Sequence, residues 1–127
     1  MHQSTGLIKY SNNPKKLILE VDQNIANYYK SLIPKYIKTN KPLYPAHISI
    51  VRNEDFIFDE SLNNKEFVFY YDGIIYVDTV YIWIDAFSID LENVRLNLGL
   101  TKHSNLSKPP NNKDCFHITI ANRKGIL

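Results

Sequence analysis

Ala46-His47-Ile48-Ser49-Ile50-Val51 and, seventy positions later, Phe116-His117-Ile118-Thr119-Ile120-Ala121 share one pattern: apolar residue, His, Ile, hydroxyl residue, Ile, apolar residue. On a strand, successive side chains point to opposite faces. His47 and Ser49 therefore share one face, with Ile48 and Ile50 on the other. The same parity sets His117 and Thr119 against Ile118 and Ile120. The isoleucines suit a face packed on helices, and the His–hydroxyl pairs suit an open one. Two matched copies are much harder to assign to chance than one structural histidine.

Working outward, residues 5–10 read as a first strand ended by the turn-formers Ser11-Asn12-Asn13-Pro14. Leu17, Val21, Ile25, Tyr28 and Leu32 recur every three or four positions, which predicts a helix over 17–32 with Pro14 at its entry and Pro34 at its end. The first motif strand follows over 46–52. Residues 53–64 read as a connection anchored by Phe56 and Phe58. Residues 66–72 are rich in Phe, Val and Tyr, and Asp72-Gly73 is a hairpin signal. Residues 74–78 and 79–87 continue the β-character, as one bent strand or two. Ser88 or Asp90 caps a second helix over 91–98, with Gly99 as its stop. Residues 101–114, with Pro109-Pro110-Asn111-Asn112, read as a mobile loop before the last strand, 115–121. The order β-α-β-β-β-α-β predicts an α+β domain with helices on one side of a mostly antiparallel sheet.

The chain has 127 residues, with 44% apolar and 22% charged. Halving it would leave each part too small for a core, so one domain over 1–127 is expected. A net charge of +2, from 15 basic and 13 acidic residues, is not the footprint of a protein that grips long DNA or RNA. A small anionic ligand in a local pocket fits it. Cys115 alone makes no intramolecular disulfide and fits a reducing compartment. The first six residues do not read as a signal peptide, and the apolar run 74–86 is broken by Asp78 and Asp85 and too short to span a bilayer. A soluble, cytoplasmic protein with no membrane partner is the expectation.

Cleaving a phosphodiester by internal attack needs one group to take a proton from the attacking hydroxyl and another to protonate the leaving oxygen. Histidine titrates near neutrality and fills either role. Hydroxyls two residues on can donate to non-bridging phosphate oxygens as charge builds in the transition state. Tyr81 and Trp83 alternate with Val80, Ile82 and Ile84 and share a strand face with Asp85, either as base-stacking surfaces or as packing in the groove. Arg123 and Lys124 lie just past the second motif, placed to meet phosphate or to be solvated tail charges. Arg52 falls on the parity of Ile48 and Ile50, away from the cleft, and is discounted. His103 and His2 belong to no motif and read as surface residues. The four histidines show no ligand spacing, so no metal site is expected.

The duplicated His-x-Ser/Thr motif resembles the two-histidine (2H) phosphoesterase superfamily, and the likeness runs the whole length of the chain. It implies a pseudo-symmetric, two-lobed α+β fold with helices on the outer side and an open central cleft. It also implies metal-independent and cofactor-free chemistry on phosphodiesters or 2′,3′-cyclic phosphates. His47 and His117 would be acid and base, and Ser49 and Thr119 would hold the phosphate. The first motif has Ser rather than Thr, which keeps the hydroxyl. The compact length and the opening Gly6-Leu7-Ile8-Lys9-Tyr10 are similar to small phage-encoded members, some of which degrade the cyclic di- and trinucleotides of bacterial anti-phage (CBASS) immunity. That likeness implies a small cyclic oligonucleotide as substrate, a place in the host cytoplasm and Tyr10 as a base-stacking residue. Relatives can carry a C-terminal lid. Only residues 122–127 follow the second motif strand, so the 101–114 loop is the alternative. RNA-end 2′,3′-cyclic phosphodiesterases share the motifs, and a non-catalytic nucleotide-binding module is a third possibility.

Overall fold

The computed structural model describes residues 1–40 and 42–126. Strands β1 (His2–Asn12) and β2 (Lys15–Val21) lead to helix α1 (Gln23–Ser31) and strand β3 (His47–Arg52). Strands β4 (Glu66–Val77) and β5 (Tyr81–Phe87) then lead to helix α2 (Ile89–Asn97) and strand β6 (Phe116–Asn122). The chain thus runs through β-β-α-β twice, and each motif strand closes its half. The fold is α+β with an antiparallel sheet. That sheet closes into a barrel in the order β1-β2-β3-β6-β5-β4. No helix among the described residues is long and apolar enough to cross a membrane.

The expected helix over 17–32 is half strand. Leu17, Leu19 and Val21 alternate inward along β2, while Lys16, Ile18 and Glu20 face out. A spacing of four residues satisfies both periods, so Leu17 and Val21 fit a helix face and a strand face equally well. The helix starts only at Gln23, where the Asp22 carboxylate accepts from the Asn24 N–H. It buries Ala26 and Tyr29, while Tyr28 and Leu32 stay exposed. Asn13 and Pro14 form the β1–β2 turn rather than a helix entry.

Asp72-Gly73 is no hairpin. β4 runs straight through it, with a register shift against β5 between Tyr71 and Ile75. Gly73 has φ of 76°, and a Cβ there would lie 2.5 Å from the Tyr29 hydroxyl, so a β-bulge and a close approach both require glycine. The turn into β5 comes at Asp78, which takes the N–H of Val80 on its side chain. The second helix begins two residues earlier than expected. Ser88 accepts from the Leu91 N–H and donates to the Val68 carbonyl, tying α2 to β4.

One hydrophobic core joins Ile48 and Ile50, Ile118 and Ile120, Ile82 and Ile84, Leu17 and Leu19 with Ala26 of α1 and Leu91 and Val94 of α2. The isoleucines of both motifs are buried with the helices, as their parity predicts, and the His–hydroxyl pairs lie on the opposite face. Burial of each such side chain stabilises by roughly 1.5–3 kcal/mol.

Candidate active site

β3 and β6 meet through a single register pair, Ile48 with Ile118, where every other neighbouring pair of strands runs over five or more. Extending that antiparallel register by one residue sets His47 opposite Thr119 and Ser49 opposite His117. Each histidine is therefore flanked by the other motif's hydroxyl. The imidazoles occupy diagonal positions across the seam. The strands part on either side of the single pair, which leaves room above it. A cavity of about 330 Å³ opens there, lined by His47, Ser49, His117, Thr119, Arg52 and Tyr81 and by residues of the 98–115 segment.

Arg52 is where the sequence parity fails. Between β2 and β3 the register runs from Ile18–Ser49 to Leu17–Val51, so Ile50 is an extra residue. The bulge buries Ile50 and Val51 in succession and turns Arg52 out beside Ser49. β6 repeats the device: Trp83 pairs with Thr119 and Ile82 with Ala121, leaving Ile120 extra. Arg95, fully buried, holds the first bulge. It donates to the Ile50 carbonyl at 2.8 Å and makes a two-pronged ion pair with Glu54 at 2.8 and 2.9 Å. That pair holds the Glu54 carboxyl below its usual range.

The two imidazoles differ in surroundings. His47 Nδ1 lies 2.9 Å from the Pro45 carbonyl, which fixes the proton on that nitrogen and leaves Nε2 to the cavity. His117 Nδ1 is buried. Its pKa is pushed down to about 4, first by burial and then by His47, with Asp85 and the Ser107 backbone opposing and Arg52 adding a little. His117 is therefore neutral at pH 7. Asp85 stands opposite it on β5, 1% exposed, accepting from Trp83 Nε1 at 3.2 Å and from Lys113 at 3.0 Å. Lys113 also donates to the Tyr76 hydroxyl.

The 98–115 segment is irregular, as expected, but tied down as a wall. Arg95 donates to the Thr101 carbonyl, Ser104 to Glu54, and Lys108 pairs with Asp114. His103 is not a surface residue: its ring is enclosed, 2.7 Å from Glu92 and edge-on to Phe116. Lys108, Pro109 and Asn112 line the cavity.

The expected base-stacking residues divide. Tyr81 lines the cavity, with Lys124 over its ring at 5.3 Å. Trp83 shares the face of Thr119 but is 2% exposed, stacked beneath Tyr76 at 5.7 Å, so its ring is already covered. Tyr10 lies on β1, away from the histidines, with Phe58 stacked on it at 4.1 Å. Arg123 does not line the cavity; its backbone N–H donates to the Val80 carbonyl. Tyr44, two-thirds exposed and three residues before His47, borders the site with no motif to announce it. Among the described residues no three His, Cys, Asp or Glu side chains cluster as a metal site needs. Burial pushes the Cys115 thiol up to about 12, too high for a nucleophile at neutral pH.

No family model, no curated protein and no solved structure matches this chain.

Proposed function

We propose that this protein is a metal-independent phosphodiesterase of the two-histidine kind, cleaving the 3′–5′ linkages of small cyclic oligonucleotides. The observation that carries the reading is the convergence of His47, Ser49, His117 and Thr119 on one cavity at the β3–β6 seam, where Ile48 pairs with Ile118. The twofold β-β-α-β order supports the two-lobed architecture the motifs imply. A viral counter to cyclic-nucleotide immunity is the biological setting this substrate class suggests.

His117, neutral at pH 7, is the base, and Nε2 is the nitrogen left to face the cavity because Nδ1 is enclosed. It takes the proton of the ribose 2′-hydroxyl as that oxygen attacks phosphorus. The P–O5′ bond breaks as His47, in its imidazolium form, passes the Nε2 proton to the leaving oxygen. A 2′,3′-cyclic phosphate and a free 5′-hydroxyl result, and both protons are accounted for. Ser49, Thr119 and the re-aimed Arg52 stabilise the extra charge on the non-bridging oxygens. The Pro45 carbonyl keeps His47 oriented throughout.

The deciding experiment incubates the protein, in excess EDTA, with cyclic ribodinucleotides, cyclic ribotrinucleotides and RNA carrying 2′,3′-cyclic phosphate ends. Mass analysis should show linear products bearing a 2′,3′-cyclic phosphate from the cyclic substrates. An all-deoxy cyclic dinucleotide should come through intact. Every compound returned unchanged, or activity that needs an added divalent cation, overturns the proposal.

A further inference from the structure

A second cavity, of about 340 Å³, adjoins the first along the β2 side of β3 and shares His47, Ser49, Arg52 and Tyr81 with it. Lys16, Arg52 and Lys124 line it, as does Lys15, whose ammonium is taken up by the Phe56 carbonyl, and among the described residues no carboxylate does. The chain as a whole is only +2, so this is a local concentration of charge. The strand register makes it pointed: Lys16 stands directly opposite Arg52. Like charges in that position destabilise a sheet. Neither has an ion-pair partner among the described residues. Glu20, the carboxylate on the same face of β2, is four residues from Lys16 and stands opposite His47. Two aromatic rings flank the cations, Tyr44 under Lys16 at 5.0 Å and Tyr81 under Lys124 at 5.3 Å.

We infer that Lys16 and Arg52 form a second anion subsite, which holds the neighbouring phosphate of a nucleotide ligand carrying at least two, with Tyr44 and Tyr81 as its stacking walls. The inference rests on the phosphodiesterase reading for what occupies the first subsite. The Ser49–Ile18 and Arg52–Lys16 pairs are separated by two residues along β2, about 7 Å, a span that one ribose and its linkage can cover. An anion between Lys16 and Arg52 turns a repulsive pair into a clamp, which explains why the pair is tolerated on an otherwise ordinary strand face. A ligand with one phosphate fills the histidine cavity and leaves the clamp empty.

The test is calorimetric titration of the wild-type protein and Lys16→Gln with two ligands that lack a 2′-hydroxyl. One is an all-deoxy cyclic dinucleotide and the other a deoxynucleoside 3′,5′-cyclic monophosphate, each run for adenine and for guanine. Lys16→Gln should weaken the dinucleotide about tenfold and the monophosphate less than about twofold. Its melting temperature should equal or exceed that of wild type, since a repulsion is removed. Equal weakening of both ligands, weakening of neither, or a wild-type protein that binds neither overturns the subsite. Cleavage of the cyclic ribodinucleotide is followed in parallel. Selective weakening without any cleavage supports the subsite and sinks the phosphodiesterase reading. Cleavage with no selective weakening does the reverse.

Discussion

His47 and His117 hold equivalent places in the two β-β-α-β halves, each facing a carboxylate on the neighbouring strand, Glu20 in one half and Asp85 in the other. Equivalence of position ends there. Glu20 is exposed, whereas Asp85 is enclosed and bonded to Trp83 and Lys113. His47 rests on a backbone carbonyl, whereas His117 is sunk until burial, with His47 adding to it, drives down its affinity for a proton. In the proposed reaction the two copies of one motif serve as acid and base because their surroundings differ, which is the general way one residue type runs both halves of a proton transfer.

The largest effect should come from deleting either imidazole. His47→Ala and His117→Ala should each lower kcat by about 10²–10⁴ with the fold intact, as read by single-turnover kinetics and circular dichroism. If one variant retains nearly full activity, the two halves do not share the chemistry. Next come the hydroxyls. Ser49→Ala and Thr119→Ala should each cost about 10-fold to 10²-fold in kcat, since each removes a hydrogen bond rather than a proton carrier. A loss matching that of the histidines would put a nucleophile, not an imidazole, at the centre of the reaction.

The carboxylates sharpen the contrast. Asp85→Asn should destabilise by about 1–3 kcal/mol, because a buried acceptor of two bonds is altered. Glu20→Gln should change stability by less than about 0.5 kcal/mol. Urea denaturation of the pair reads this directly, and equal effects would show that the halves are less different than their burial implies. The last effect is a slope, spread over the acid range. Below about pH 6.5 the unfolded chain takes up a proton on residue 117 that the folded protein refuses until about pH 4. Stability should therefore fall as pH drops through that window, by no more than about 3 kcal/mol from this group, and level off below it. His117→Asn should remove that part of the fall, so the wild-type and variant curves should converge as the pH drops towards 4. Parallel curves would mean that His117 titrates normally.

Much of this molecule is legible in its residue order. The face of each motif residue follows from strand parity, Ile48 and Ile118 inward and His47 and His117 outward, because a strand offers only two directions. Ser88 and Gly99 bracket the second helix for local reasons, one as a cap and one as a left-handed stop with φ of 81°. The first helix was misplaced because Leu17 and Val21, four apart, satisfy both periods, and the choice between them rests on the partner strands that β2 finds in β1 and β3.

Residue order and strand parity are enough to place two histidines and two hydroxyls and the two directions in which their strands present them. The rest depends on contacts between distant parts of the chain. The extra residue at Ile50 exists only relative to β2, so nothing local to β3 says that Arg52 turns outward or that Lys16 meets it. Trp83 is covered by Tyr76, and Tyr10 by Phe58, through contacts that cross the fold. The lowered proton affinity of His117 arises from what packs around it, because desolvation and neighbouring charge depend on the assembled environment and not on the order of residues along the chain.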